Sequence, residues 1–232
     1  MMSLELSHSE EDSWSSLSDL MAGLMMVFLL IALVFMVNVE IQRHQMKQVA
    51  VLYDHVRKQL YEDLKMEFAA DLPVWGAEIG EDLSISFQRE SLMFANGSNE
   101  LNVEFEEILQ NFFPRYLSIL SKNEFKSHID EIRIEGHTSK AWGNKSDDEA
   151  YILNMGLSQA RTKTTLAYVL NLDSVSSQKQ WLIGKLTANG LSSSKPIFNQ
   201  KNEIDETRSR RVEFKVRTDA EHAIATLLDT LQ

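Results

Sequence analysis

Apolar positions change their spacing three times along the chain, and each change marks an element. From Leu20 to Val37 the run LMAGLMMVFLLIALVFMV holds no charged or polar side chain, with Gly23 its weak helix former. Eighteen residues at 1.5 Å each cover roughly 27 Å, and Leu17 and Val39 extend the run to the ~30 Å of a hydrocarbon core. No polar residue marks a solvent face, so the pattern predicts one membrane-spanning helix over about 14–39 rather than a helix buried in a soluble core. A cleaved signal peptide fits poorly, because residues 1–18 hold no Lys or Arg and no small-residue cleavage site follows. Beyond Asn38, Val49, Leu52, Val56, Leu60, Leu64 and Phe68 fall three or four apart, with no Gly or Pro before Pro73. That spacing predicts an amphipathic linker helix within 40–77. Its steps do not keep a heptad, so a long left-handed coiled coil is not expected.

After Pro73 the period becomes mixed. Leu83 to Phe87 alternates and reads as a strand, and Val103 to Leu120 reads as a helix interrupted at Pro114. Ile132 and Ile134 mark a second strand that leaves through Gly136-His137-Thr138. Asn154 to Leu170 is helical, with Leu157, Thr164, Leu166, Tyr168 and Leu170 facing inward. Gln178 to Ala188 reads as a shorter helix closed by Asn189-Gly190, and Arg211 to Val216 as the last strand. Strands separated by helices over 78–217 predict a two-layer α/β domain with a mixed sheet and its own core. A tail over 1–13 and a helical tail over 218–232 flank these parts. No period of 20 to 50 residues repeats, which excludes a solenoid.

Composition removes function classes rather than adding one. The 232 residues include no cysteine, and 23 Lys plus Arg against 34 Asp plus Glu leave a net charge of −11. There is thus no disulfide framework, no thiolate metal site and no thiol chemistry. An acidic chain without an arginine-rich arm is a poor partner for nucleic acid. The Ser-x-x-Lys string at Ser192 to Lys195 lacks the companion strings of a penicillin-binding enzyme, and neither a P-loop nor a nucleophile elbow is present. No cofactor, no resident metal and no enzymatic activity are expected.

Asp19 carries the most informative charge, because it opens the apolar run. Steps of three and four from it meet Ser15 or Ser16, Ala22, Gly23 and Met26, a small and polar stripe suited to packing against other helices. Two readings stay open: an N-cap formed by Ser18-Asp19, or a carboxylate that handles an ion inside the membrane.

The stretch WSSLSDLMAGLMMVFLLIALVF resembles the single transmembrane helix of MotB-type stator subunits, and its wording is closest to the B subunits of Zorya anti-phage systems. The resemblance implies that Asp19 binds and releases the driving ion, a proton or sodium. It also implies that 40–77 acts as a plug and linker, and that two copies of the chain sit within five copies of a MotA-like A subunit. Downstream, IEGHTS at 134–139, NMGLSQAR at 154–161 and RRVEFKV at 210–216 are similar, in that order, to the blocks of OmpA-like peptidoglycan-binding domains. Thr138, Ser139, Asn154, Leu157 and Arg161 match positions of that family's ligand pocket. Ser139 departs from the pattern, standing where the family has the aspartate that holds the diaminopimelate ammonium. One hypothesis is that the acidic loop Asp147-Asp148-Glu149 folds back to replace the missing charge.

Orientation sets two arguments against each other. Arg43, Lys47, Arg57 and Lys58 all follow the span, which by the positive-inside rule places the C-terminal domain in the cytoplasm. A wall-binding domain must be periplasmic, and the ordered blocks outweigh four charges. The expectation is a single-pass inner-membrane protein, N-terminus cytoplasmic, that grips peptidoglycan as the stator of an ion-driven motor. A flagellar MotB-type subunit and a passive membrane-to-wall tether are the alternatives.

Overall fold

The computed structural model describes the backbone of residues 2–219 and the side chains of 14, 17–44, 47, 51 and 54–219. The expected tail over 218–232 lies almost wholly outside the described residues, as do the side chains of Val49 and Leu52. The chain divides into two compact units, Met1–Val51 and Leu52–Gln232. Helix α1 spans Met2–Phe68. Within it, Leu17–His44 is long and apolar enough to cross a membrane, and none of its most apolar stretch is buried by the chain itself.

The second unit takes in the end of α1, where Leu60, Leu64 and Phe68 are fully buried. Their four-residue spacing puts them on one face, as the amphipathic pattern requires. A short α2 (Leu72–Trp75) closes on Gly76, whose left-handed φ of 60° turns the chain into the sheet. The strands are β1 (Ala77–Ile79), β2 (Ser84–Phe87), β3 (Ile129–Gly136), β4 (Leu186–Gly190) and β5 (Val212–Thr218). They lie in the order β1-β2-β5-β3-β4, with β3 and β4 parallel and the other pairs antiparallel. Between them run α3 (Glu90–Met93), α4 (Val103–Leu120), α5 (Asn123–Lys126), α6 (Asp147–Leu170), α7 (Lys179–Ile183) and α8 (Glu206–Ser209). Phe214 sits on β5 opposite Ile85 of β2 and Ile134 of β3. Its ring lies 5.1 Å from Phe112 and 6.0 Å from both Phe87 and Phe113, so an aromatic cluster joins sheet and helices.

Four local expectations need correction. Pro114 does not interrupt α4, because buried Phe112, Phe113, Tyr116 and Leu117 hold both sides of it against the core. Residues Leu186–Gly190 form β4 rather than the end of a helix, since pairing with β3 outweighs a short run of weak helix formers. Helix α6 begins at Asp147, where Ser146 and Glu149 make a reciprocal capping box, so the acidic triplet is its first turn and not a loop. Its buried side is Asn154, Ser158, Arg161, Thr162, Thr165 and Val169; Leu166, Tyr168 and Leu170 are half-buried and pack against the core as expected, whereas Leu157 and Thr164 are half-buried and do not join it. The reason is close approach to the sheet. A Cβ on Gly136 would stand 2.7 Å from Thr162 Cγ2, and one on Gly190 would overlap the backbone of Gln159. Only small or thin side chains fit that interface.

Candidate functional site

The chain leaving β3 is pinned on two sides. His137 N donates to Arg211 O at 2.9 Å and Thr138 N donates to Ser192 O at 3.0 Å. Asn154 Nδ2 donates to Ala141 O at 3.3 Å and holds the following loop against α6. These contacts frame a cavity of about 270 Å³. Thr138, Ser139, Asn154 and Leu157, four of the five pocket residues expected from the sequence, line it together.

Arg161, the fifth, does not. Its side chain is 5% exposed and lies behind the cavity wall. Nε donates to Ser98 O at 2.8 Å, Nη1 donates to Glu90 Oε1 at 2.9 Å, and the guanidinium covers the Phe94 ring at 4.8 Å. The cavity's charges come instead from Glu90 at the start of α3 and Arg210 beside β5. Arg210 Nε lies 2.8 Å from Glu90 Oε2, so one carboxylate bridges two guanidiniums. Arg210 falls in a quoted block, but nothing around Glu90 in the sequence marks it. The acidic first turn of α6 supplies no charge here: Asp147 pairs with Lys140 at 2.7 Å, Glu149 serves the cap, and neither lines the cavity. Thr138 Oγ1 is buried without a hydrogen-bond partner, an unused donor and acceptor at the cavity edge.

Asp19 is placed differently from the capping expectation. It lies well inside α1, beyond reach of that helix's free N–H groups, and within the span Leu17–His44. The N-cap reading is therefore withdrawn. Asp19 is exposed, and among the described residues none pairs with it.

No family model matches the chain. A Zorya protein ZorB of Escherichia coli strain Crooks is 44% identical over 221 residues, covering 94% of this chain and 93% of that protein. The chain belongs to the ZorB family. A second Zorya protein ZorB, from Escherichia coli O139:H28, is 28% identical across 90% of this ZorB-family chain and 81% of its own length. A MotB-like protein from Desulfovibrio vulgaris superimposes with a TM-score of 0.50 at 21% identity, covering 75% of the present chain and 95% of that one. That likeness establishes a shared fold, the helices and mixed five-stranded sheet expected of MotB-like and OmpA-like domains.

Behind the cavity, this ZorB-family chain buries a second polar group. His137 Nε2 lies 3.6 Å from Glu213 Oε2 and 3.8 Å from Glu135 Oε2. Three ligand atoms within 4.8 Å of one another could surround a cation. Arg133 already bonds Glu135 at 3.2 Å, however, and Arg211 bonds Glu213, so each carboxylate has a fixed positive partner. Burial pushes the Glu213 carboxyl up, but the His137 ring and the Arg211 guanidinium outweigh it and bring it to about 2. The cluster locks β3 to β5 directly beneath the pinned loop.

Proposed function

We propose that this chain is the wall-anchored stator subunit of an ion-driven motor in the bacterial inner membrane, acting in anti-phage defence, and that it is not an enzyme. The observation carrying the reading is Asp19: a carboxylate inside the apolar part of a continuous helix, with no capping duty. A charge at that depth is expensive unless neutralised by a proton, a sodium ion or dipoles of neighbouring helices, so its occupancy can be tied to a change of shape. One unit charge crossing the membrane supplies ~2.3 kcal/mol per 100 mV. Anchoring is what keeps such a step from being lost as slip.

The remaining parts follow from that role. A MotA-like A subunit, in the five-to-two ratio that the family resemblance implies, would supply the helices facing Asp19, and a second copy of this chain would complete the pair. The domain from Leu52 onward would stand in the periplasm with its cavity on peptidoglycan, and the N-terminus would be cytoplasmic. The relatives' Zorya name supports defence over flagellar rotation.

Phage plating efficiency on bacteria carrying the complete operon tests the reading, comparing wild type with Asp19→Asn at matched membrane expression. Lost protection with the complex assembled is expected. Full protection by Asp19→Asn would remove ion handling and leave a passive tether between membrane and wall.

A further inference from the structure

The last turns of α1 are built into the folded unit that follows them. Val56 packs against the core, Leu60, Leu64 and Phe68 are fully buried in it, and Arg57 Nη2 donates at 2.9 Å to Glu81 O in the β1–β2 turn. The Phe68 ring lies 6.0 Å from Trp75 and 5.2 Å from Phe112, which in turn meets Phe214 of β5 at 5.1 Å, so the helix end enters the aromatic cluster that joins sheet and helices. Arg115 of α4 straps the same end. Its guanidinium covers Phe68 at 4.9 Å and pairs with Glu67 at 2.7 Å and Asp71 at 2.8 Å. Through Nη2 it also donates at 2.8 Å to Glu67 O, one of the carbonyls that a helix terminus leaves without an intrahelical partner. One turn earlier, Asp63 pairs with Lys122 just past α4. Upstream of Val56 the surroundings change: Val51, Asp54 and His55 are exposed, and Asp54 pairs with Lys58 of its own helix.

We propose that α1 from Val56 to Phe68 is a fixed strut of the folded unit, and that any movement of the linker is confined to the stretch before Val56. Peeling these turns away would expose Leu60, Leu64 and Phe68 and strip one side from Trp75 and Phe112, so release of the strut is coupled to opening of the core. The ion pairs are partly exposed and add little, so the attachment rests on apolar burial and survives high salt. The linker expected over 40–77 therefore has two parts with different duties. Between His44, where the apolar span ends, and Val56 the helix covers roughly 18 Å, which is the length left for bending. The functional consequence rests on the wall-anchored stator reading above: a load held by the wall enters α1 through Phe68 and Arg115, without a slack joint between domain and helix.

Amide hydrogen exchange of the full chain in detergent, read by mass spectrometry on peptides from α1 and α4, tests the strut directly. Residues 60–68 should exchange within about ten-fold of α4, and both should lose protection at the same denaturant concentration. Exchange of 60–68 more than about ten-fold faster than α4 overturns the proposal whatever the protein's role. A second arm asks whether function tolerates a permanent attachment. The chain has no cysteine, so Asp63→Cys with Lys122→Cys supplies one thiol pair across the seam, which a short bis-maleimide that does not cross the inner membrane can bridge in living cells. Phage plating efficiency on bacteria carrying the complete operon should be the same for the bridged pair as for the pair capped with a monofunctional maleimide, because a strut loses nothing by being tied. Protection lost on bridging but kept on capping overturns the proposal and makes release of α1 from α4 part of the working cycle. A pair that bridges only after lysis overturns the periplasmic placement instead, and the exchange measurement then decides the strut by itself.

Discussion

Arg161→Ala distinguishes a buried tie from an exposed ligand group. The substitution removes a charge-assisted bond to Glu90, a bond to the Ser98 carbonyl and the cover over Phe94. Bonds to charged groups contribute about 1.5–3 kcal/mol each, and a desolvated cation over an aromatic face up to about 2. Glu90 keeps Arg210 and stays partly hydrated, so the loss falls short of the figure for a fully orphaned charge, and about 3 kcal/mol is the working value. For a folded unit of this size that corresponds to a fall in Tm of roughly 6–12 °C. The assay is thermal unfolding of the full chain in detergent, followed by tryptophan fluorescence, since Trp75 is buried against Phe68 and Phe112 and reports core melting. A Tm within 2 °C of wild type, combined with loss of muropeptide binding, would refute the burial argument and return Arg161 to the cavity as a ligand group.

Two further outcomes bear on the packing beneath the cavity. Glu213, brought to about 2 from 4.5, contributes stability that is fully present above pH 4.5 and is lost as the pH falls through 2. Denaturant titrations across that window should show the decline in wild type and a shallower one in Glu213→Gln; equal slopes would remove Glu213 as the cause. Gly190→Ala should destabilise the domain because its Cβ would overlap the Gln159 backbone, whereas Gly156→Ala, on open helix surface, should stabilise it by about 0.5–1 kcal/mol. A neutral Gly190→Ala in chemical unfolding would contradict the close approach of α6 to the sheet.

Short-range physics made several parts of this protein legible in its sequence. An unbroken apolar run has one stable environment, so the span around Leu20–Val37 followed from length alone. Leu60, Leu64 and Phe68 shared a face by helical geometry, and strict alternation in Arg211–Val216 and Leu83–Phe87 marked β5 and β2. Thr138, Ser139, Asn154 and Leu157 line one cavity, and the local strings around them had marked them for a common place.

Tertiary packing decided the rest. Leu186–Gly190 became a strand because β3 offered unpaired backbone groups, and α6 turned Asn154, Ser158 and Thr162 inward because Gly136 and Gly190 bring the sheet too close for leucine. Glu90 and Arg161, 71 residues apart in the chain, met only when α3 folded onto α6. That meeting placed Arg161 inside and Glu90 at the cavity. Residue spacing specifies which side chains share a helix face or a strand face. Which of two distant charges is left facing water depends on how the layers close around them, and that is a property of the assembled fold.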